Sequence, residues 1–114
     1  FHDHLVMHSV VKRVFHELKE QGIVKRLAFH TLTQAEAEKF THFHLNGSTE
    51  EEIDCLFEVD DEDIETGRKS LDCYVTYKET IDASGIKKGL HSPIPFEIFG
   101  EDFDPPLGEL TEKL

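Results

Sequence analysis

Histidine is the residue type with the most chemical potential in this chain, because two pairs of histidines have the spacing of chelating ligands. The chain has 114 residues and eight histidines. His4 and His8 would lie one turn apart on a helix, and His42 and His44 would share one face of a strand. Imidazole is the commonest metal ligand in proteins. The pairs predict one Zn²⁺, Ni²⁺ or Cu²⁺ site made of His4, His8, His42 and His44; alternatively, they lie apart and are solvated.

A second candidate metal site combines the strand histidines with a carboxylate downstream. Residues 42–53 read HFHLNGSTEEEI. This stretch resembles the first motif of cupins, in which two strand histidines and a following glutamate bind a metal inside a β-barrel. The resemblance implies a site for Fe²⁺, Mn²⁺ or Zn²⁺ with open positions for substrate, formed by His42, His44, Glu50 and His91. It covers residues 42–53 alone, and five residues separate His44 from Glu50 where cupins have three or four.

Carboxylates are concentrated in one part of the chain. The formal net charge is −12, and ten carboxylates lie between Glu50 and Glu65. Such a field attracts a basic surface and repels phosphate backbones, which disfavours direct binding of nucleic acid. The pattern predicts a partner-binding surface formed by Glu51, Glu52, Asp54, Glu58, Asp60, Asp61, Glu62 and Asp63. The alternative is a solvated face that only aids solubility.

Two functional hypotheses follow from these residues. The first is a small acidic protein-interaction module, of the inhibitor, immunity or adaptor type, that docks a basic partner. The second is a histidine-liganded metal-binding protein or a small cupin-like metalloenzyme. No nucleotide-binding loop, nucleophile elbow or zinc-ribbon spacing occurs in the sequence. Whether the chain is an enzyme is therefore uncertain, and the binding module is favoured.

The N-terminal third predicts the elements that must position the first histidine pair. Apolar residues recur at helical spacing over residues 3–21, and Gly22 predicts the end of this helix. Residues 23–33 are rich in β-branched and aromatic side chains and predict a strand. A short helix over residues 34–39 follows, with Thr33 and Glu36 at the spacing of a capping box.

The remaining sequence predicts more strands and an acidic loop between two of them. Apolar residues alternate with polar ones over 53–59 and 71–78, and residues 40–45 form a third short run. Residues 60–67 between the alternating runs are polar and predict a long hairpin loop. Residues 94–99 are apolar, and Pro95 predicts an edge strand or extended strap there. The expected fold is α+β, with one amphipathic N-terminal helix on a curled antiparallel sheet of four to five strands and a short second helix.

Length and composition complete these expectations. We expect residues 1–103 to form a single domain and residues 104–114 to form a C-terminal tail. The absence of a long apolar run predicts a soluble protein without membrane contact, placed in the cytoplasm. Cys55 and Cys73 are expected to be free core thiols, with a disulfide between neighbouring strands as the alternative. The edge strand at Ile94 would allow a homodimer, whereas Pro95 acts against edge pairing.

Overall fold

The computed structural model describes residues 2–41 and 44–114, and it shows an α+β fold with a three-stranded antiparallel sheet. Its helices are α1 (His2–Glu20), α2 (Gln34–Ala37), α3 (Asp61–Asp72), α4 (Lys78–Ser84) and α5 (Ile86–Gly89), with a 3₁₀ turn at Glu50–Glu52. The strands are β1 (Ala28–His30), β2 (Cys55–Phe57) and β3 (Ile94–Ile98), in the order β1-β3-β2. The predicted fold class and N-terminal helix are confirmed, whereas the predicted four to five strands are not.

Helix α1 has the predicted length and the predicted stop. Gly22 has a φ of 72°, a left-handed conformation that glycine adopts without steric cost. Its N–H donates to the carbonyl of Lys19, and the N–H of Ile23 donates to the carbonyl of Leu18, both at 3.0 Å. These are the two hydrogen bonds of a Schellman motif, which ends a helix by satisfying its last carbonyls.

The face that α1 turns toward the sheet differs from the predicted apolar stripe. His8 packs on Phe29 with ring centroids 4.6 Å apart, and Phe15 packs edge-to-face on Phe99 at 6.0 Å. Lys12, which is not one of the apolar residues of the stripe, lies over the rings of Phe29 and Phe99. Much of the stripe stays exposed as a result, namely Leu5, Met7, Val10 and Val14.

Strand β3 lies at the centre of the sheet, so the prediction of an edge strand at residues 94–99 is wrong. It pairs with β1 through Phe29 and Glu97 and with β2 through Leu56 and Pro95, among others. The carbonyl of Pro95 faces β1 and accepts from Thr31 just beyond the end of that strand. The nitrogen and the carbonyl of a strand residue point to the same side, so the nitrogen of Pro95 also faces β1. Because β1 ends at His30, the N–H that proline lacks is not needed for pairing within that strand. A homodimer cannot use β3 as an open edge.

The core covers one face of the sheet and includes the C-terminal segment. Cys55, Ile98 and Leu107 are buried together, with Phe103 and Leu110 packed against them. Leu107 also bridges Cys55: its N–H donates to Asp54, and its carbonyl accepts from Leu56. Leu107 and Leu110 therefore belong to the core, and the division into a domain at 1–103 and a C-terminal tail at 104–114 stays a prediction.

Asp54 joins three parts of this core. Its carboxylate accepts hydrogen bonds from the N–H groups of Ile98, at 2.7 Å, and Phe103, at 3.0 Å. The side chain is buried, with 5% of the residue exposed. A buried carboxylate is tolerated only when its oxygens have donors, and here both oxygens have one. Asp54 thus holds β3 and the segment after it against the start of β2.

Arg26 fixes the same C-terminal segment from the other side. Its guanidinium makes two hydrogen bonds to the Glu101 carboxylate, both at 2.9 Å. It also donates to the carbonyls of Leu110 and Glu112 and lies 5.3 Å from the ring centroid of Phe103. Such bidentate, charge-assisted contacts are among the stronger hydrogen bonds in proteins.

Residues 60–90 form helices, so the predicted hairpin loop and the predicted strand at 71–78 are wrong. Asp60 caps α3, and Ile64, Gly67 and Leu71 are its partly buried positions, at helical spacing. Lys87 of α5 forms ion pairs with Asp72 and with Asp82, which links the three helices. Two other predicted strands are shorter or absent. The strand predicted at 23–33 is observed as the three-residue β1. In the stretch predicted at 40–45, residues 40, 41, 44 and 45 are not in a strand, and residues 42 and 43 lie outside the described residues.

The two cysteines are free. Cys55 is fully buried in β2, where burial raises the pKa of its thiol, and Cys73 is exposed directly after α3. Cys73 was expected on a strand beside Cys55, and it lies on no strand. The alternative of a disulfide is not observed.

We expect Asp54→Asn to lower the free energy of unfolding by about 2–4 kcal/mol, because an amide can accept from one of the two buried N–H groups but presents its own donor to the other. Urea denaturation followed by circular dichroism measures the change. Asp102→Asn, at an exposed carboxylate nearby, is the matched control and should shift the midpoint little. Equal effects of the two substitutions would contradict the role given to Asp54.

We also expect acid to weaken the Arg26–Glu101 contact. Hydrogen bonds from Arg26 lower the pKa of Glu101. A carboxylate whose pKa is lower in the folded state contributes stability above its unfolded pKa of about 4.3 and loses that contribution as the pH falls through the folded value.

The free energy of unfolding of the wild type should therefore fall between about pH 5 and pH 3, and Glu101→Gln should make this fall shallower. Denaturation midpoints across that range measure both slopes. Glu109→Gln, an exposed position in the same segment, should keep the wild-type slope. A slope unchanged by Glu101→Gln would contradict the contribution of the pair.

Candidate functional site

A cleft of about 560 Å³ is bordered by α1, β1, the 3₁₀ turn and the residues around the end of β3. It lies over the sheet face opposite the core, where α1 contacts the sheet through aromatic rings. Its side chains divide into an aromatic and cationic wall and an acidic wall. The residues that line it are His8, Lys12, Phe29, His30, Thr31, Glu51, Glu52, Asp54, Glu97, Ile98, Phe99, Gly100 and Asp102.

The aromatic wall holds the ammonium group of Lys12. The Nζ atom is 4.7 Å from the ring centroid of Phe99 and 5.7 Å from that of Phe29. Within the described residues, no carboxylate lies within ion-pair distance of Lys12. A cation over an aromatic face contributes about 0.5–1 kcal/mol when exposed and about 2 kcal/mol when desolvated, and the half-buried Lys12 has two such contacts.

The acidic wall is built around Glu97. Glu97 is half-buried on β3, and its Oε1 accepts a hydrogen bond from the hydroxyl of the buried Ser48. Ser48 also shares a hydrogen bond with Thr31, so two strands and a loop fix the carboxylate. Glu51 and Glu52 lie on the 3₁₀ turn and are exposed at the mouth of the cleft.

The electrostatics of the cleft favour a cation. Hydrogen bonds from Thr49 keep the pKa of Glu52 below its ordinary value, so this carboxylate is ionised at neutral pH. Glu51, Glu97 and Asp102 add to the negative field, against the single ammonium of Lys12. Walls of low dielectric strengthen such a field inside a cleft. The arrangement can bind and orient a positively charged group.

The predicted acidic surface becomes two patches. The 50–52 patch (Glu50, Glu51 and Glu52) precedes β2 and the 58–63 patch (Glu58, Asp60, Asp61, Glu62 and Asp63) follows it. An extended chain rises about 3.3 Å per residue, so Glu52 and Glu58 are separated by up to about 20 Å. Asp54, a predicted member of the surface, is buried and bonded to backbone N–H groups, so its carboxylate is not available to a partner.

Three of these carboxylates also have a structural task at helix starts. Asp60 accepts from the N–H of Asp63, and Asp63 accepts in turn from the N–H of Asp60, which forms a capping box on α3. Glu52 makes the equivalent reciprocal contact with Thr49 on the 3₁₀ turn. The sequence contains this signal, since each pair has the three-residue spacing that correctly predicts the Thr33–Glu36 capping box on α2.

The described histidines of the two predicted metal sites are not brought together. His4 and His8 are exposed on α1, and His8 lines the cleft. His44 is elsewhere, hydrogen-bonded to Asn46 and lining a separate pocket beside α2. His42 lies outside the described residues. Over 2–41 and 44–114, no group of three or more His, Cys, Asp or Glu side chains has a geometry that could hold a metal ion.

His91, the downstream histidine of the cupin-like set, contacts a carboxylate of α2 and not Glu50. Its Nε2 lies against Oε1 of Glu36. Burial raises the pKa of Glu36, but hydrogen bonds from Thr33 and the nearby His91 outweigh this and leave the pKa below its ordinary value. The contact ties α2 to the segment before β3, and Glu50 remains exposed on the 3₁₀ turn.

Sequence reasoning missed Lys12, Phe29, Glu97, Phe99 and Asp102 as members of one site. Phe29 and Glu97 are paired across β1 and β3, and that register is not visible in either strand alone. A partial signal existed, because Glu97 interrupts an otherwise apolar segment at 94–99. A charged residue in such a run marks a position where the strand meets solvent or a cleft.

Among the described residues, no helix is both long enough and apolar enough to cross a bilayer. Comparison of the chain with protein-family models, with curated proteins and with solved structures finds no match.

Proposed function

We propose that this protein is a small acidic interaction module that docks a basic protein partner. The observation that carries the proposal is the exposure of unneutralised carboxylates. All residues of the 50–52 and 58–63 patches are exposed. In the described part of the chain, none of them forms an ion pair with a lysine, arginine or histidine. Their field is therefore available to a partner.

The surface between the patches supports the same proposal. Leu56 on β2 lies between the two patches in sequence and is exposed. Interfaces commonly combine an apolar centre with a polar rim. A basic partner that spans β2 would meet carboxylates on both sides of this leucine. The cleft extends the 50–52 patch inward, because Glu51 and Glu52 belong to both.

The expected partner is a protein surface rich in lysine and arginine. Complementary charge mainly increases the rate of association and selects against partners of the wrong sign. Inhibitor, immunity and adaptor proteins all work in this way, and the proposal covers that class as a whole, with a cytoplasmic location as part of it. The histidine-metal alternative gains no support from the described residues, among which no group of three or more His, Cys, Asp or Glu side chains could hold a metal ion.

The test compares two variants with equal change of charge. Glu51→Gln, Glu58→Gln and Glu62→Gln together remove three carboxylates that have no hydrogen bond to a helix start. Glu20→Gln, Glu38→Gln and Glu79→Gln together remove three exposed carboxylates elsewhere. Calorimetric titration with a decapeptide of alternating arginine and serine measures affinity. Three exposed charge contacts of about 0.5 kcal/mol each make the expected loss for the first variant roughly tenfold.

Salt provides the second measurement. The affinity of the wild type should fall steeply between about 50 and 300 mM salt, because exposed charges are screened over roughly 8 Å at physiological ionic strength. If the two triple variants lost equal affinity for the decapeptide, net charge alone would explain the binding. That result would contradict a localised binding surface. Binding that is insensitive to salt would contradict an electrostatic mode.

A further inference from the structure

We propose that the cleft is an arginine-binding pocket, in which Lys12 occupies the cation position until an arginine of the partner replaces it. This inference rests on the proposed function, since the arginine belongs to the basic partner. It goes beyond a general attraction between charges, because it assigns one side chain of the partner to one place on this protein.

The register makes Glu97 a neighbour of two phenylalanines that line the cleft. Phe29 and Glu97 are directly paired across β1 and β3, so their side chains are neighbours on one face of the sheet. Glu97 and Phe99 are two residues apart on the same side of the chain. A guanidinium over these rings could stack on one of them while its edge reaches the carboxylate. A planar guanidinium combines both contacts, whereas an ammonium is a point charge.

The protein already uses this combination once. Arg26 lies over the ring of Phe103 and makes two hydrogen bonds to Glu101, with 5% of its side chain exposed. The cleft offers equivalent groups, with a phenylalanine ring and a carboxylate two residues apart in sequence. Arg26 is the cation in the first case. In the cleft, the cation over the rings is Lys12, which has the aromatic contacts but no carboxylate partner among the described residues.

Lys12 is therefore a tethered competitor for the pocket. Its side chain can leave without breaking an ion pair within the described residues, and α1 keeps the contacts of His8 and Phe15 with the sheet when it does. Glu97 stays fixed by Ser48 in either state. Removing the lysine should leave the pocket intact and open to an added cation.

The test uses N-acetylarginine amide as the probe, with binding followed by the NMR shifts of the phenylalanine ring protons. Lys12→Gln should tighten binding by about five- to thirtyfold, the equivalent of the two cation–aromatic contacts that Lys12 makes. Lys19→Gln is the matched control: it removes the same charge from the same helix, and Lys19 lies over Phe15, outside the cleft. Glu97→Gln keeps an acceptor for Ser48 and should abolish the preference for arginine over N-acetyllysine amide.

Equal tightening by Lys12→Gln and Lys19→Gln would overturn the pocket, because net charge alone would then explain the change. No shift of the Phe29 and Phe99 ring protons in Lys12→Gln would also overturn it. The arginine–serine decapeptide separates the two proposals. Decapeptide binding without probe binding in the cleft would leave the proposed function standing and reject the pocket. Probe binding in the cleft without decapeptide binding would support the pocket and reject docking of a basic protein.

Discussion

The hydrogen bonds of the buried Asp54 carboxylate are the constraint on which the rest of this small fold depends. One oxygen binds the N–H of Ile98 at the end of β3, and the other binds the N–H of Phe103 in the segment that follows. The main chain of Asp54 adds bonds to Phe96 and Leu107. A sheet of three short strands buries little apolar surface, and a charge-assisted acceptor that joins three segments compensates for part of that deficit. The same contacts set the turn after β3 and thereby the position of Phe99 and Asp102 in the cleft.

The acidic character of residues 50–65 reflects folding as well as any binding. Asp60, Asp63 and Glu52 satisfy N–H groups at the starts of α3 and the 3₁₀ turn, and Asp54 satisfies buried ones. Negative side chains at helix N-termini also complement the helix dipole. The run is therefore not a uniform solvated loop. Glu50, Glu51, Asp61 and Glu62 accept no such hydrogen bond, but they lie in the first turns of the same elements, where the dipole favours negative charge. Glu58, between β2 and α3, is the residue of the two patches that has neither role.

The sequence predicts those elements whose signal is local and fails where neighbours decide the outcome. Helix α1, the Gly22 stop and the Thr33 capping box follow from spacing within one turn or a few turns. The alternation over 71–78 imitates a strand, but the Asp60 cap and the partly buried positions Ile64 and Leu71 favour helix before it. The central place of β3 could not be predicted, because a proline normally rules out a central strand. Pro95 is tolerated there because β1 ends at His30, before the position that would pair with the proline nitrogen. For the site, the acidic run that supplies Glu51 and Glu52 was visible in the sequence, whereas the pairing of Phe29 with Glu97 was not.

The way in which α1 attaches to the sheet couples the helix to the cleft. Its contacts with the sheet are ring and cation contacts by His8, Lys12, Phe15 and His16, while Val6, Met7, Val10 and Val14 remain outside. A stripe of valines buried on the sheet would have held the helix by area alone and closed the face that now forms the cleft. Attachment through Phe29 and Phe99 means that any group occupying those rings competes with one of the contacts of α1. By linkage, whatever strengthens the contact of Lys12 with these rings weakens the binding of the occupant. The affinity of the cleft for a cation therefore depends partly on α1 through Lys12, although the carboxylates that line the cleft lie on other elements.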